Sequence, residues 1–387
     1  MKNIVSSDFT LGILGGGQLG RMLIQEAINL DIATAVLDPD DQCPSAAICT
    51  KFVKGSFKDF DTVYNFGKNV DVLTIEIEHV NADALLKLEK EGKHIFPQPQ
   101  QLKVIQDKGL QKQFYTRHKL PTAAYKLFDN KEEVLTALRN KEICFPFIIK
   151  TRTAGYDGKG VMKVETDLDL DKIPDTPVVV EDAIKINKEI AVIAAMNVRG
   201  DIKCFPAVEM DFNPTANLVK FLICPADISE AKMKEAEELA IATIKAFDIC
   251  GVLAVEMFLD ENDALLINEV APRPHNSGHH TIESAFVSQY EQHLRGILDL
   301  PLGSTRQKMP SVMINLLGEP DYSGLVHYQG MEECLEIEGV KVHIYGKQET
   351  KPFRKMGHVT IIGETIKNVR EKAQFVKDHL KVISHNK

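Results

Sequence analysis

The chain has 387 residues, 44% apolar and 26% charged, which suits a soluble globular protein of about two to four domains with a large core. Its 46 Lys and Arg against 55 Asp and Glu give a net charge of −9. No long Lys/Arg block offsets that charge, so nucleic acid is not an expected partner. Seven cysteines are scattered without a C-x-x-C pair; no apolar run approaches membrane-spanning length, and no secretion signal opens the chain. Reduced thiols in the cytoplasm are the expectation.

Leu11 to Leu14 reads as a buried strand, and Gly15-Gly16-Gly17-Gln18-Leu19-Gly20 follows at once. Arg21 to Leu30 has helical spacing, and Ala33 to Leu37 is the next strand, ending at Asp38. This fits G-x-G-x-x-G with an acidic residue about 20 positions on. Glycines admit an anion to the backbone and a helix start favours negative charge, so the pattern specifies a βαβ phosphate cradle. NAD is one occupant, and a bare structural turn is the alternative. Val70 to Ile77 is a strand with Glu76, Glu78 and His79 at its end, and Ala82 to Lys90 is a helix. A third complete βαβ unit is not evident. Gln101 to Gln106 and Lys108 to His118 are helical, with Lys108 at their junction.

Asn130 starts a helix running to about Arg139, and Phe145 to Lys150 is an apolar strand ending in lysine. The loop that follows, Thr151 to Val161, carries Arg152, Lys159 and three glycines. Such a loop suits folding over a triphosphate, and reads equally as a glycine-rich hairpin tip. It is not a Walker A loop. Val178 to Ala183 is a buried strand containing Glu181 and Asp182. Glu189, in the strand Lys188 to Ile193, either accepts from a ribose or pairs with Lys185 or Lys188. Ile228 to Phe247 is a long amphipathic helix.

Val252 to Leu259 is a strand with Glu256 at its centre, and Ala264 to Ile267 delivers Asn268 and Glu269 to a strand end. A carboxylate in an apolar run is costly unless neutralised. Two on neighbouring antiparallel strands point to a hard cation between them; one solvent-facing Glu and one salt bridge is the alternative. Pro272 and Pro274 then stiffen a stretch with Arg273, His275, Asn276, Ser277 and His279, which is poor core material. Arg354-Lys355 is either an anion site or a solvated turn.

Together these pieces resemble the ATP-grasp superfamily, and within it the 5-(carboxyamino)imidazole ribonucleotide synthases, bicarbonate-using enzymes of purine synthesis. The resemblance rests on Gly15 to Met22, Gly155 to Gly160, Asn268 to His279, Pro310 to Gly318 and Arg354 to His358. It runs from about Leu11 to Gly363. It implies an α/β fold with α+β elements: a Rossmann-like pre-ATP-grasp domain over 1–105 and a lid over 106–184. An ATP-grasp domain with the metal site would span 185–305, and a small β-rich segment completing the substrate site 306–387. ATP would meet Lys108, Lys150, the loop Gly155, Tyr156, Asp157, Gly158, Lys159, Gly160 and Val161, and Asn268 and Glu269. Glu181 with Asp182, Ala183 and Ile184 would hold adenine, and Glu189 the ribose. Glu256 and Glu269 would carry Mg²⁺, with Mn²⁺ as a substitute. Aminoimidazole ribonucleotide would meet Gly17, Gln18, Leu19, Glu76, Tyr156, Arg273, His275, Lys347, Arg354 and Lys355. Arg273, His275 and Lys355 form the implied catalytic set, with Arg273 on bicarbonate and His275 orienting it or moving a proton.

Two departures stand out: Lys108 replaces an arginine common in the family, and Phe212 replaces a nucleotide-side histidine, so that contact is not carried over. The family also implies a homodimer. A formate-using glycinamide ribonucleotide transformylase, an NAD-dependent oxidoreductase and a non-catalytic nucleotide sensor are the competing readings.

Overall fold

The computed structural model describes residues 4, 6–153, 160–213 and 218–385. Gly155, Tyr156, Asp157, Gly158 and Lys159 lie outside the described residues, as does the side chain of Phe212. Among the described residues the strands form sheets of five, four, nine and three strands.

The five-stranded sheet is parallel, in the order Lys51–Lys54, Ala33–Asp38, Thr10–Leu14, Val72–Ile75, His94–Ile95. A further βαβ unit is therefore present, built from Lys51–Lys54 and the helix Phe60–Lys68. That strand is a short edge, exposed at its two terminal lysines, so it shows no apolar run to a sequence reading. Its helix is marked by Asp59, whose carboxylate accepts the Thr62 N–H at 2.8 Å, an N-cap that polar turn residues disguise.

The four-stranded sheet is antiparallel, in the order Tyr125–Phe128, Val178–Asp182, Phe147–Thr151, Val161–Val164. Behind it lies the helix Lys131–Arg139, capped by Asn130. The nine-stranded sheet holds Leu265–Ala271 at one edge, then Gly251–Asp260, Ile186–Met196, Val208–Asn213 and Leu218–Cys224. It continues through Ser311–Leu317, Lys355–Ile362 and Val340–Ile344, with Ile202–Cys204 paired to Ile186–Met196 as the ninth strand. Leu222 pairs with Met313, so the sheet is continuous across residues 305 and 306.

Two packings fix the N-terminal sheet against the large one. Leu11, Ile13, Leu23 and Ile24 share one core with Leu253, Val255, Ile267 and Tyr290. Buried in the same region, His293 accepts the Val252 N–H on Nδ1 at 3.2 Å. Its Nε2 then carries the ring proton and donates to Thr74 Oγ1 at 2.9 Å. The fit needs Gly251, which has φ +98 and whose added Cβ would stand 2.7 Å from His293 Nδ1. Among the described residues no helix is long and apolar enough to cross a membrane.

Candidate active site

Glu256 and Glu269 are direct partners across the antiparallel strands Gly251–Asp260 and Leu265–Ala271. Both sit within their strands, so Asn268 and Glu269 are not at a strand end as the sequence suggested. The pairing skips from Glu256↔Glu269 to Met257↔Ile267, which makes Asn268 the extra residue of a β-bulge. A regular strand turns neighbouring side chains to opposite faces. The bulge re-aims one of them, and here both meet lysines. Asn268 Oδ1 accepts from Lys150 Nζ at 2.8 Å, and Glu269 Oε2 meets Lys108 Nζ at 2.5 Å.

The electrostatics follow from this crowding. Burial, the facing Glu269 charge and Glu189 push the Glu256 carboxyl above its ordinary range. Burial also works against ionised Glu269, but Lys108, Lys150 and His275 together outweigh it and hold that carboxyl down. The Glu269 side chain is 43% exposed, so a ligand in the cleft can reach it. His275 Nε2 lies 3.3 Å from Glu256 Oε1. The His275 backbone is held on both sides by the buried Gln289 amide, which accepts its N–H at 2.8 Å and donates to its carbonyl at 2.7 Å. Lys355, at the start of Lys355–Ile362, lies close enough for its charge to act on Glu256.

Lys108 opens the helix Lys108–Arg117, where Asp107 is the N-cap. Asp107 also binds Arg152 in a fork, at 2.9 and 2.7 Å, tying the end of the strand Phe147–Thr151 to that helix. Phe114 stacks on Phe247 with centroids 3.9 Å apart, anchoring the same helix to Glu230–Phe247. Lys150 lies in Phe147–Thr151, and Glu181 is on the adjoining strand Val178–Asp182. Asp182, Ala183 and Ile184 lead from that strand to Ile186–Met196. Gly160 and Val161 close the far end of the basic loop, Gly160 at φ +77. Lys185 pairs with Glu261, and Lys188 with Glu209 and Asp227. Neither takes Glu189, whose carboxyl is pushed up to about 7 by burial although Lys150 opposes this.

At the glycine loop the helix starts at Gln18 with Gly17 as N-cap. Its anion position is filled from within. Gly16 N–H donates to Asp38 Oδ2 at 2.7 Å, and Gly20 N–H to Glu76 Oε2 at 3.1 Å. Glycine is required at position 15, at φ +94, where a Cβ would stand 2.7 Å from Glu76 Cγ. The phosphate-cradle reading thus yields, at these two N–H groups, to a carboxylate-filled loop.

Arg273 Nη2 meets Glu78 Oε1 at 2.7 Å, bridging the stretches that follow the strands Val72–Ile75 and Leu265–Ala271. The C-terminal part reaches the same region. Gly346 lies by the Arg21 guanidinium, and Gln348 donates to Gln42 at 3.2 Å. Lys347 Nζ donates to the Lys355 carbonyl at 2.7 Å, and Arg354 Nη1 to that of Glu349 at 2.7 Å. Asp107, Lys112, Thr122 and Gln289 carry no signal in their local sequence, and the basic loop and the strand end that contain Arg152 and Glu78 do not disclose their partners. Each matters through a partner distant in the chain.

Residues 9–106 match the ribonucleotide synthetase preATP-grasp domain, residues 113–290 the ATP-grasp domain, and residues 311–372 the phosphoribosylaminoimidazole carboxylase C-terminal domain. The chloroplastic phosphoribosylaminoimidazole carboxylase of Vigna aconitifolia is 38% identical over 371 residues, which are 94% of this chain and 65% of the relative. The chain thus spans about two thirds of the length of such relatives. The crystal structure of N5-carboxyaminoimidazole ribonucleotide synthetase from Thermotoga maritima superposes with a TM-score of 0.90 at 40% identity, over 97% of this chain and 100% of that one. An N5-carboxyaminoimidazole synthase from Aspergillus clavatus, in complex with ADP and 5-aminoimidazole ribonucleotide, superposes with a TM-score of 0.87 at 34% identity, over 96% and 98%.

Proposed function

We infer the activity from lineage and site together: the chain belongs to the N5-carboxyaminoimidazole ribonucleotide synthase family of ATP-grasp ligases. It uses ATP to join bicarbonate to the exocyclic amine of 5-aminoimidazole ribonucleotide, releasing ADP and phosphate. The paired Glu256 and Glu269, ringed by Lys108, His275 and the Lys150–Asn268 pair, are the observation that carries this reading.

Bicarbonate carbon has no good leaving group, so an oxygen of bicarbonate first attacks the γ-phosphorus and the bond to ADP breaks. The product is carboxyphosphate. The amine nitrogen then attacks its carbon as the C–O bond to phosphate breaks, or that bond breaks first and the amine attacks the CO₂ released; by either route the amine loses a proton. Lys108, Lys150 and the loop 155–161 hold the nucleotide phosphates and exclude water from the hydrolysable anhydride. Glu181 and the backbone of 182–184 meet adenine, and Glu189 the ribose. Arg273, oriented by Glu78, holds bicarbonate, and His275, fixed through Gln289, orients it or takes the proton. The ribonucleotide lies against Gly17, Gln18, Leu19 and Glu76 on one side. Lys347, Arg354 and Lys355 face it from the other, with Arg354 and Lys355 on its phosphate; Tyr156, outside the described residues, is assigned to it by the resemblance alone.

The donor set also fits a hard divalent cation, Mg²⁺ or Mn²⁺. Two oxygen-only side chains face each other, and burial with mutual repulsion pushes Glu256 up. Among the described residues no group of three or more His, Cys, Asp or Glu is placed to hold a metal ion by itself. Such an ion, held by Glu256 and Glu269, would offset charge on the β- and γ-phosphates. The test is ADP release measured with ATP alone, then with bicarbonate and aminoimidazole ribonucleotide added. Strong stimulation only when both are present is the expected outcome. Stimulation by formate with glycinamide ribonucleotide instead would overturn the reading.

A further inference from the structure

A closed circuit of polar groups lies behind the carboxylate pair. Lys112 Nζ and Lys150 Nζ each stand 3.1 Å from the same oxygen of Glu181, Oε1. Lys150 also donates to Asn268 Oδ1 at 2.8 Å. The residue before it, Ile267, accepts from Thr122 Oγ1 through its carbonyl at 2.7 Å. Thr122 Oγ1 in turn accepts from Lys112 Nζ at 2.6 Å. The circuit joins the helix Lys108–Arg117, two strands of the four-stranded sheet and the strand Leu265–Ala271. The side chains of Lys112, Lys150 and Glu181 are 3%, 8% and 4% exposed, so each charge depends on the others for compensation.

The two lysines are not equivalent. Lys112 sits one helical turn behind Lys108 and is tethered twice, to Glu181 and to Thr122. Lys150 lies beside Asn268 at the cleft. Were Lys112 absent, Glu181 would keep Lys150 as its one ion-pair partner among the described residues and would hold it back. Burial brings the Lys112 ammonium down to about 8, with Glu181 supporting the charge and Lys150 and Lys108 opposing it. Burial also disfavours ionised Glu181, yet Lys150 and Lys112 outweigh it and keep that carboxyl below its ordinary range.

We propose that Lys112 is a positioning residue for nucleotide binding: it neutralises Glu181 so that Lys150 can exchange that carboxylate for an ATP phosphate. The inference rests on the reading that Lys150 meets the nucleotide. The test is a double-mutant cycle on the purified full chain, read as the KM for Mg-ATP and, separately, for aminoimidazole ribonucleotide. Lys112→Met should raise the ATP KM about tenfold and leave the ribonucleotide KM unchanged. In the Glu181→Gln background, where no carboxylate competes for Lys150, the same substitution should add no further rise. A general packing defect would raise both KM values, or would act equally in both backgrounds, and either result overturns the proposal. So does an unchanged ATP KM in Lys112→Met. If Lys112→Met alone does not fold, the double variant, which leaves no buried carboxylate unpaired, is compared with Glu181→Gln. An ATP KM above that of the single variant then refutes the inference. Lys150→Met in the same assay separates the two claims. Were its ATP KM unchanged, the nucleotide-site reading would fail, whatever Lys112 does.

Discussion

Replacing His293 should change how stability depends on pH, by an amount fixed by its burial. The ring is fully buried, donates to Thr74 and accepts from Val252. Burial pulls its pKa down to about 3 from the ordinary 6.5. The sign follows from the depressed value. Above pH 6.5 neither the folded nor the unfolded ring is charged, and the contribution is fully present. As pH falls from 6.5 toward 3 the unfolded ring takes a proton that the folded one refuses, and stability is lost. Below pH 6.5 the loss is about 1.4 kcal/mol per pH unit, so going from pH 7.5 to pH 5.0 costs about 2 kcal/mol at this residue. That figure depends on the unfolded pKa, because at pH 5.0 the folded ring is neutral in any case. Other groups titrate here with both signs. His280, pulled down to about 4, adds to the loss, and Glu189, pushed up to about 7, opposes it. The assay is therefore a difference: urea unfolding of the parent and of His293→Gln at pH 7.5 and 5.0. His293→Gln should be the less stable at pH 7.5, and the gap should close by about 2 kcal/mol at pH 5.0. A gap that does not change with pH would refute both the burial argument and the assigned ring proton.

Glu269→Gln should lose most ADP formation at limiting Mg²⁺ while its thermal midpoint stays near that of the parent; near-normal turnover under those conditions would remove Glu269 from the metal site. Gly278→Ala places a Cβ 2.5 Å from Gln289 Cδ and should cost about 1–3 kcal/mol by overpacking. Because Gln289 holds the His275 backbone, kcat should fall more than stability implies. A variant with parental kcat would show that this clamp is not needed. Arg354→Ala should raise the KM for aminoimidazole ribonucleotide about tenfold, the effect of losing roughly 1.5 kcal/mol of charged hydrogen bonding, with the ATP KM unmoved. The reverse pattern would take the C-terminal segment out of the ribonucleotide site.

What the sequence disclosed were residues that break a local pattern. Glu256 interrupts an apolar strand, Lys150 ends one, and the glycines at 15–20 announce a tight turn; each is improbable unless something occupies the place it makes. The structure brings Glu256, Glu269, Lys108, Lys150, His275 and Lys355 close to one another. What the sequence concealed were residues typical of their surroundings. Lys112 is one more lysine on a helix, Glu78 one more acid after a strand, and His293 one more polar residue on an amphipathic helix. Their meaning arises from partners far along the chain, such as Thr74 for His293 across 219 residues.

The bulge at Asn268 shows the limit most clearly. Strand alternation says that of two adjacent residues one faces the cleft and the other its back. By that rule either Asn268 or Glu269 had to be lost to the site, and a strand end was the natural escape. The pairing instead slips by one residue beside Glu256. That slip keeps Glu269 opposite Glu256 while Asn268 reaches Lys150. No residue type in Leu265 to Ala271 announces the slip; it is fixed by register against the neighbouring strand. Two lysines on separate elements, Lys108 and Lys150, can thus approach one short stretch of backbone. Moving the bulge by a residue would leave the composition of the site unchanged and separate its charges.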